Sequence, residues 1–257
     1  MARLDAEQDS VRAVLNWALQ ATVYTEGLRL VAALWRFWYM RGMLREGRRW
    51  LEAFLATPED APGQGLFQFV GKTGAVPGHP VAQVARAHAL DGAAILAWRQ
   101  GEYEQATYWL RDALERYRDA ADRAGEARVL SHLGLVLADS GAFDAAFASY
   151  EASLAISRDR ADSLAMSAVL HNLGNLHCQQ NNNARALELY EECLAIYEQR
   201  AILPISPGSA WASVGSRATR ADQWLPPQPL AAAWSWRVYL AMTGQLPRRC
   251  GISAIWR

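Results

Sequence analysis

Between Ser167 and Tyr197 the apolar and small positions are Leu170, Leu173, Gly174, Ala186, Leu189, Tyr190, Cys193, Leu194 and Tyr197. They fall in two runs, broken at Asn181 to Asn183, and each run keeps the i, i+3, i+4, i+7 spacing of a helix with one buried stripe. The pattern predicts an amphipathic helical hairpin. A hairpin of this size cannot hide its own apolar face, so it calls for copies of itself stacked alongside.

Two upstream copies are present, each a step of 40 residues away. Leu170, Leu173 and Gly174 answer to Leu130, Leu133 and Gly134, and then to Leu90, Ala93 and Ala94. Asn181 answers to Gly141 and Gly101, Ala186 to Ala146 and Ala106, Tyr190 to Tyr150 and Leu110, and Leu194 to Leu154 and Leu114. The residues at 101, 141 and 181 suit the left-handed conformation that ends a helix. Asp122 and Asp162 sit where an N-cap is needed. A small residue at 94, 134 and 174 is expected to let the second helix of each pair approach the first closely.

With Leu133-Gly134, Gly141, Ala146, Tyr150 and Ser153 in place, the chain resembles the tetratricopeptide repeat family. The step of 40 marks a variety with longer helices than the usual period of about 34 residues. The resemblance implies an all-α fold, a right-handed solenoid of antiparallel helix pairs. It also implies that the first helices of the pairs line a concave groove.

Upstream, helices are predicted over residues 2–20, from Thr25 to Met40 and from Leu44 to Ala56. Gly42, Gly47, Leu51 and Phe54 fall where Gly101, Ala106, Leu110 and Ala113 fall in the clear copies, so residues 26–56 read as a divergent repeat. In the run Trp35, Phe37, Trp38 and Tyr39, helical spacing turns Trp35 and Trp38 inward and leaves Phe37 or Tyr39 further out. This region resembles the start of the repeat segment in bacterial signal-transducing ATPases, many of them LuxR-like transcriptional regulators. The resemblance implies a sensor arm whose ATPase and DNA-binding domains would lie outside this chain. The organisation expected is N-terminal helices over 1–56, a Pro/Gly-rich loop over 57–80, three repeats over 81–200 and an atypical tail over 201–257.

The loop holds four prolines and five glycines. Its Gly71-Lys72-Thr73 does not complete a phosphate-binding loop, because position 66 is Leu where that motif needs Gly, and no strand precedes it. The tail carries six prolines, five tryptophans, six arginines and a single acid, Asp222. Its abrupt change of composition fits either a capping segment or an out-of-frame coding end.

The formal net charge is zero, which argues against a broad nucleic-acid-binding surface. Lys72 is the only lysine. No apolar run is long enough to span a membrane and no secretory leader is visible, so a cytoplasmic protein is expected. Cys178, Cys193 and Cys250 have no paired spacing and read as buried thiols.

No catalytic constellation stands out, and the chain reads as non-enzymatic, with no cofactor. His171 and His177 are six apart and cannot form an i, i+4 metal pair, so no metal site is expected. The groove positions carry the candidate chemistry: His88, Asp91 and Arg99 in the first copy; Arg128, Ser131, His132 and Asp139 in the second; His171, Asn172, Asn175 and Gln179 in the third. Asn172 and Asn175 match the Asn-Leu-Gly-Asn pattern with which the resembled family often holds a ligand's peptide backbone, a task for which an amide, both donor and acceptor, is suited. Substituting both is expected to abolish peptide binding without unfolding the chain. The expected function is a protein–protein interaction module that takes a peptide or protein partner, as the sensor part of a signalling or transcriptional regulator. The alternatives are an arm that binds a small-molecule effector in a closed pocket lined by His132, His171 and Trp98, or a fragment without independent function.

Overall fold

A computed structural model describes residues 7–21, 23–57 and 80–199 of the chain. The loop and tail readings, Gly71-Lys72-Thr73 included, lie almost wholly outside the described residues. Those residues form nine α-helices: α1 (Gln8–Gln20), α2 (Tyr24–Met40), α3 (Leu44–Leu55), α4 (Pro80–Arg99), α5 (Tyr103–Asp119), α6 (Arg123–Asp139), α7 (Phe143–Asp159), α8 (Ser163–Gln179) and α9 (Asn183–Gln199). No strand occurs among them. From α4 onward, connections of three residues leave successive helices no choice but to run antiparallel as packed neighbours.

The connections share one construction. Gly101, Ala121, Gly141, Ala161 and Asn181, one every 20 residues, all have positive φ: 83°, 53°, 84°, 51° and 59°. Around each, two backbone bonds close the helix end in the Schellman pattern. At the first, Gly101 N donates to Trp98 O at 2.9 Å and Glu102 N to Ala97 O at 3.0 Å; at the second, Ala121 N donates to Arg118 O at 2.9 Å and Asp122 N to Tyr117 O at 2.8 Å. Gly42, at φ 69°, closes α2 in the same way. The capping roles hold: the Asp122 side chain accepts from Ala124 N and Gly125 N, and Asp162 accepts from Ala165 N.

The chain divides into two compact units, residues 1–146 and 147–257. In the first, α2, α3 and α4 pack on one another around a core of Val31, Trp35, Trp38, Trp50, Leu51, Phe54 and Leu96. Gly47 lies directly under Trp38, where an added Cβ would come within 2.7 Å of the Trp38 Cβ. Of the two residues either of which was expected further out, Tyr39 is the half-buried one, while Phe37 is 7% exposed and belongs to this core. Helix α2 is covered on more than one side, so its apolar stripe is wider than one face. In the second unit α8 and α9 form a tight pair, with Tyr190 seated on Gly174. A Cβ at Gly174 would sit 2.6 Å from the Tyr190 ring, which is the close approach anticipated at this position.

Equivalent positions are equivalently buried. Leu90, Leu130 and Leu170 are 3%, 5% and 0% exposed, and Ala106, Ala146 and Ala186 are all 0%.

The two alanine turns carry a conformation that L-residues resist by roughly 1–2 kcal/mol, against which glycine's greater unfolded-state freedom is worth about 0.5–1 kcal/mol. Both alanines are exposed. Ala121→Gly and Ala161→Gly are therefore each expected to raise the unfolding free energy by about 0.5–1 kcal/mol, and Gly141→Ala to lower it by about 1 kcal/mol. Urea denaturation followed by circular dichroism reads all three. A loss of stability in both alanine-to-glycine variants would contradict the account.

Candidate functional site

In the first unit the candidate residues converge on one carboxylate. Asp91 of α4 is 0% exposed. Its Oδ2 accepts from Arg128 Nε at 3.0 Å, and its Oδ1 lies 2.5 Å from His132 Nδ1. Both partners stand on α6, one turn apart. Arg128 also donates to the Tyr117 hydroxyl at 2.7 Å and lies over that ring. His132 meets Trp35 edge-on, with centroids 6.5 Å apart. Burial alone would push the Asp91 carboxyl up, but the charges and hydrogen bonds of His132 and Arg128 outweigh it and hold the group well below the usual range. His88, half-buried on α4, is pulled below its ordinary value by burial and then by the Arg128 charge.

The remaining candidates of this unit are more open. Ser131 is half-buried. Arg99 is exposed, with its guanidinium over the Tyr39 and Trp98 rings at 5.7 and 5.6 Å. Asp139 is exposed and accepts from Trp98 Nε1 at 2.8 Å. Arg36 of α2 was not among the sequence candidates. The register that sets Gly42 against Gly101 sets Arg36 against Ile95, a groove position, so the signal was present but lay in the divergent repeat. Tyr117, which holds Arg128 from the second helix of its pair, gave no such signal.

In the second unit Tyr190 donates to Asn175 Oδ1 at 2.6 Å, and Asn175 Nδ2 lies 3.0 Å from His171 Nε2. The contact makes Nε2 the acceptor, so the imidazole is neutral with its proton on Nδ1. His171 is 7% exposed and burial pulls it down to about 4. Asn175 is thus tied to the interior of the α8–α9 pair, while Asn172 is half-buried and Gln179 exposed. A double Asn172 and Asn175 substitution would therefore disturb packing as well as any ligand. Cys193 is a buried free thiol, pushed up to about 12 by burial. Cys178 is disulfide-bonded, not the free thiol expected.

Among the described residues, no group of three His, Cys, Asp or Glu side chains is placed to hold a metal, and no helix is long and apolar enough to cross a membrane. A small cavity in the first unit lies between α1, α2 and α3, against Val11, Leu34, Trp38 and the Arg12–Glu46 pair. It includes none of the candidate residues.

Residues 86–122 and 125–199 match tetratricopeptide repeat models. Among curated proteins no sequence matches. The crystal structure of BtubC (BKLC) from P. vanneervenii superposes with a TM-score of 0.57 at 16% identity, covering 95% of this chain and 92% of that one. A putative kinesin light chain from Podosopora anserina, with nearly identical TPR-like repeats, superposes with a TM-score of 0.51 at 18% identity, covering 85% and 97%. The fold class is the all-α, tetratricopeptide-type solenoid of antiparallel helix pairs. Repeats of this type generally mediate protein–protein interaction, and none of these matches indicates a catalytic family.

Two outcomes follow from the buried polar groups. Arg128→Met leaves the buried Asp91 carboxylate with His132 as its remaining partner and should destabilise the fold by about 3 kcal/mol. His171 binds its proton more readily unfolded, near 6.5, than folded, near 4. Its contribution is therefore complete above about pH 6.5 and is lost as the pH falls toward 4. Between about pH 7.5 and 5, wild type should lose about 2 kcal/mol more unfolding free energy than His171→Gln. Parallel denaturant titrations at the two pH values measure the difference, and equal losses would show that His171 is not held neutral.

Proposed function

We propose that this chain is a non-catalytic interaction module that holds a peptide segment of a partner protein against the polar faces of its first helices. The observation that carries the reading is Asn172. It is a half-buried amide on a first helix, one turn from an Asn175 that the interior fixes in place. An amide so placed can donate to a peptide carbonyl and accept from a peptide N–H at once. The tetratricopeptide-type fold supports the same reading. The finer proposal, a cytoplasmic sensor arm of a bacterial signalling or transcriptional regulator, rests on the pattern of residues 1–56.

Selection of a displayed random-peptide library on the wild-type protein tests it. Peptides enriched on wild type should bind Asn172→Ala at least about tenfold more weakly, a loss of about 1.4 kcal/mol, with an unchanged melting temperature. Asn175→Ala should instead lower stability by about 1–2 kcal/mol, because the Tyr190 hydroxyl loses its acceptor. Enriched peptides that bind Asn172→Ala as well as wild type would remove α8 from the binding face.

A further inference from the structure

His132 and Arg128 are each tied to Asp91 by one side only. His132 uses Nδ1, which lies 2.5 Å from the buried Oδ1. Among the described residues its Nε2 has no hydrogen-bond partner, and this nitrogen is not one of the sealed, unpaired polar atoms of the interior. The side chain is 22% exposed and meets Trp35 edge-on. Arg128 uses Nε on Asp91 Oδ2 at 3.0 Å and Nη2 on the Tyr117 hydroxyl at 2.7 Å. Its Nη1 is likewise unpaired among the described residues and unsealed, and the side chain is 32% exposed. Arg128 and His132 stand one turn apart on α6, so the two open nitrogens belong to one small part of the first-helix face.

Asp91 fixes which nitrogen of the ring can react. An ionised carboxylate only accepts, so the proton on Nδ1 stays between the two groups. When the ring gives up its other proton, that proton leaves from Nε2, and the lone pair appears on the open side. A buried acid placed in this way orients the imidazole and balances the positive charge that the ring acquires when Nε2 forms a bond. Among the described residues no hydroxyl or thiol bonds to Nε2, and Ser131, next in sequence, points about 100° away around the helix. The reacting group is then Nε2 itself, since histidine is a competent nucleophile. Arg128 decides the kind of electrophile. A guanidinium with one end open favours a group that carries anionic oxygens, and phosphoryl oxygens suit it well. Arg36 of α2 lies near enough for its positive charge to act on Arg128 and Asp91.

We propose that His132 accepts a phosphoryl group on Nε2 from a phosphoramidate donor, with Arg128 Nη1 donating to the phosphoryl oxygens and Asp91 holding the ring. The Nε2 lone pair forms a bond to phosphorus. The donor's P–N bond breaks, and its electron pair leaves on the already protonated nitrogen as ammonia. The ring takes the positive charge, Nδ1 keeps its proton on Asp91, and nothing is oxidised or reduced. The product carries a doubly charged anion where an open imidazole nitrogen stood, so the modification changes the charge that this part of the first-helix face presents. The inference does not depend on the peptide-binding reading, which is carried by Asn172 in the second unit.

The probe is potassium phosphoramidate, applied to the full chain near pH 8, where ordinary histidines are largely neutral. Peptide mass spectrometry at neutral or alkaline pH maps the label. His177 is the internal reference, half-buried like His132, but with its Nδ1 beside the Asn182 amide and not a carboxylate. His132 should be labelled about tenfold faster than His177, and its product should be the Nε2 isomer, which phosphorus NMR separates from the Nδ1 isomer. Inorganic phosphate at constant ionic strength should occupy Arg128, slow labelling of His132 about twofold or more and leave His177 unchanged. In concentrated urea the difference between the two histidines should vanish. Equal rates in the folded protein, an Nδ1 product at His132, a preference that survives unfolding, or labelling of His132 that ignores phosphate would each overturn the inference. Its failure leaves the Asn172 test untouched, since that test reads α8 alone.

Discussion

One backbone constraint sets the rest of this fold: a residue forced into the left-handed conformation once every twenty positions, from Gly101 to Asn181. Each such residue ends a helix, reverses the chain and starts the next helix at a fixed phase. With 17 residues in each helix from α5 to α9 and three in each turn, a position and its counterpart 40 residues later occupy the same place on their helices. The common burial of Leu90, Leu130 and Leu170 is a consequence of that phase. A one-residue insertion in any helix would rotate all later side chains by about 100° against their own turn. The constraint therefore acts on helix length as strongly as on turn composition.

Once phase is fixed, close packing follows from the distribution of bulk. Tyr190 can lie across α8 only because position 174 has no side chain, and Trp38 lies on α3 for the same reason at position 47. In each of these pairs the aromatic ring fills the space that the glycine leaves, and the volume is conserved across the pair. The divergent first repeat uses the contact in both senses, with Phe54 of α3 on Gly27 of α2 and Trp38 of α2 on Gly47 of α3.

The periodic part of the structure was legible because it is written in residue size and polarity. Leu, Gly, Ala and Tyr at the recurring positions gave the hairpins, and Asp122 and Asp162 gave the helix starts. Ala121 and Ala161 escaped notice because alanine signals helix, not left-handed turn, and the surrounding hydrogen bonds override its preference. A single-stripe reading left either Phe37 or Tyr39 to lie further out, and it is Tyr39 that does, because α2 is covered on more than one face and Phe37 falls on the second. The Asp91 cluster was visible as separate polar residues. Its assembly was not, since it depends on side chains 37 and 41 positions apart meeting across α4 and α6.

Asp91, Ser131 and His171 occupy one register position in three successive copies. The first is a buried anion satisfied by Arg128 and His132, the second a small hydroxyl, and the third a buried neutral imidazole hydrogen-bonded to Asn175. A position that determined the fold would not tolerate an acid, an alcohol and a base in turn. The fold pairs such a group where it can, as at Asp91, yet it leaves the buried Nδ1 of His171 without a hydrogen-bond partner and bears a cost of about 1–3 kcal/mol there. The turns and the glycine–aromatic contacts supply the architecture without help from this position. The chemistry of the first-helix face is thereby left free to differ between repeats.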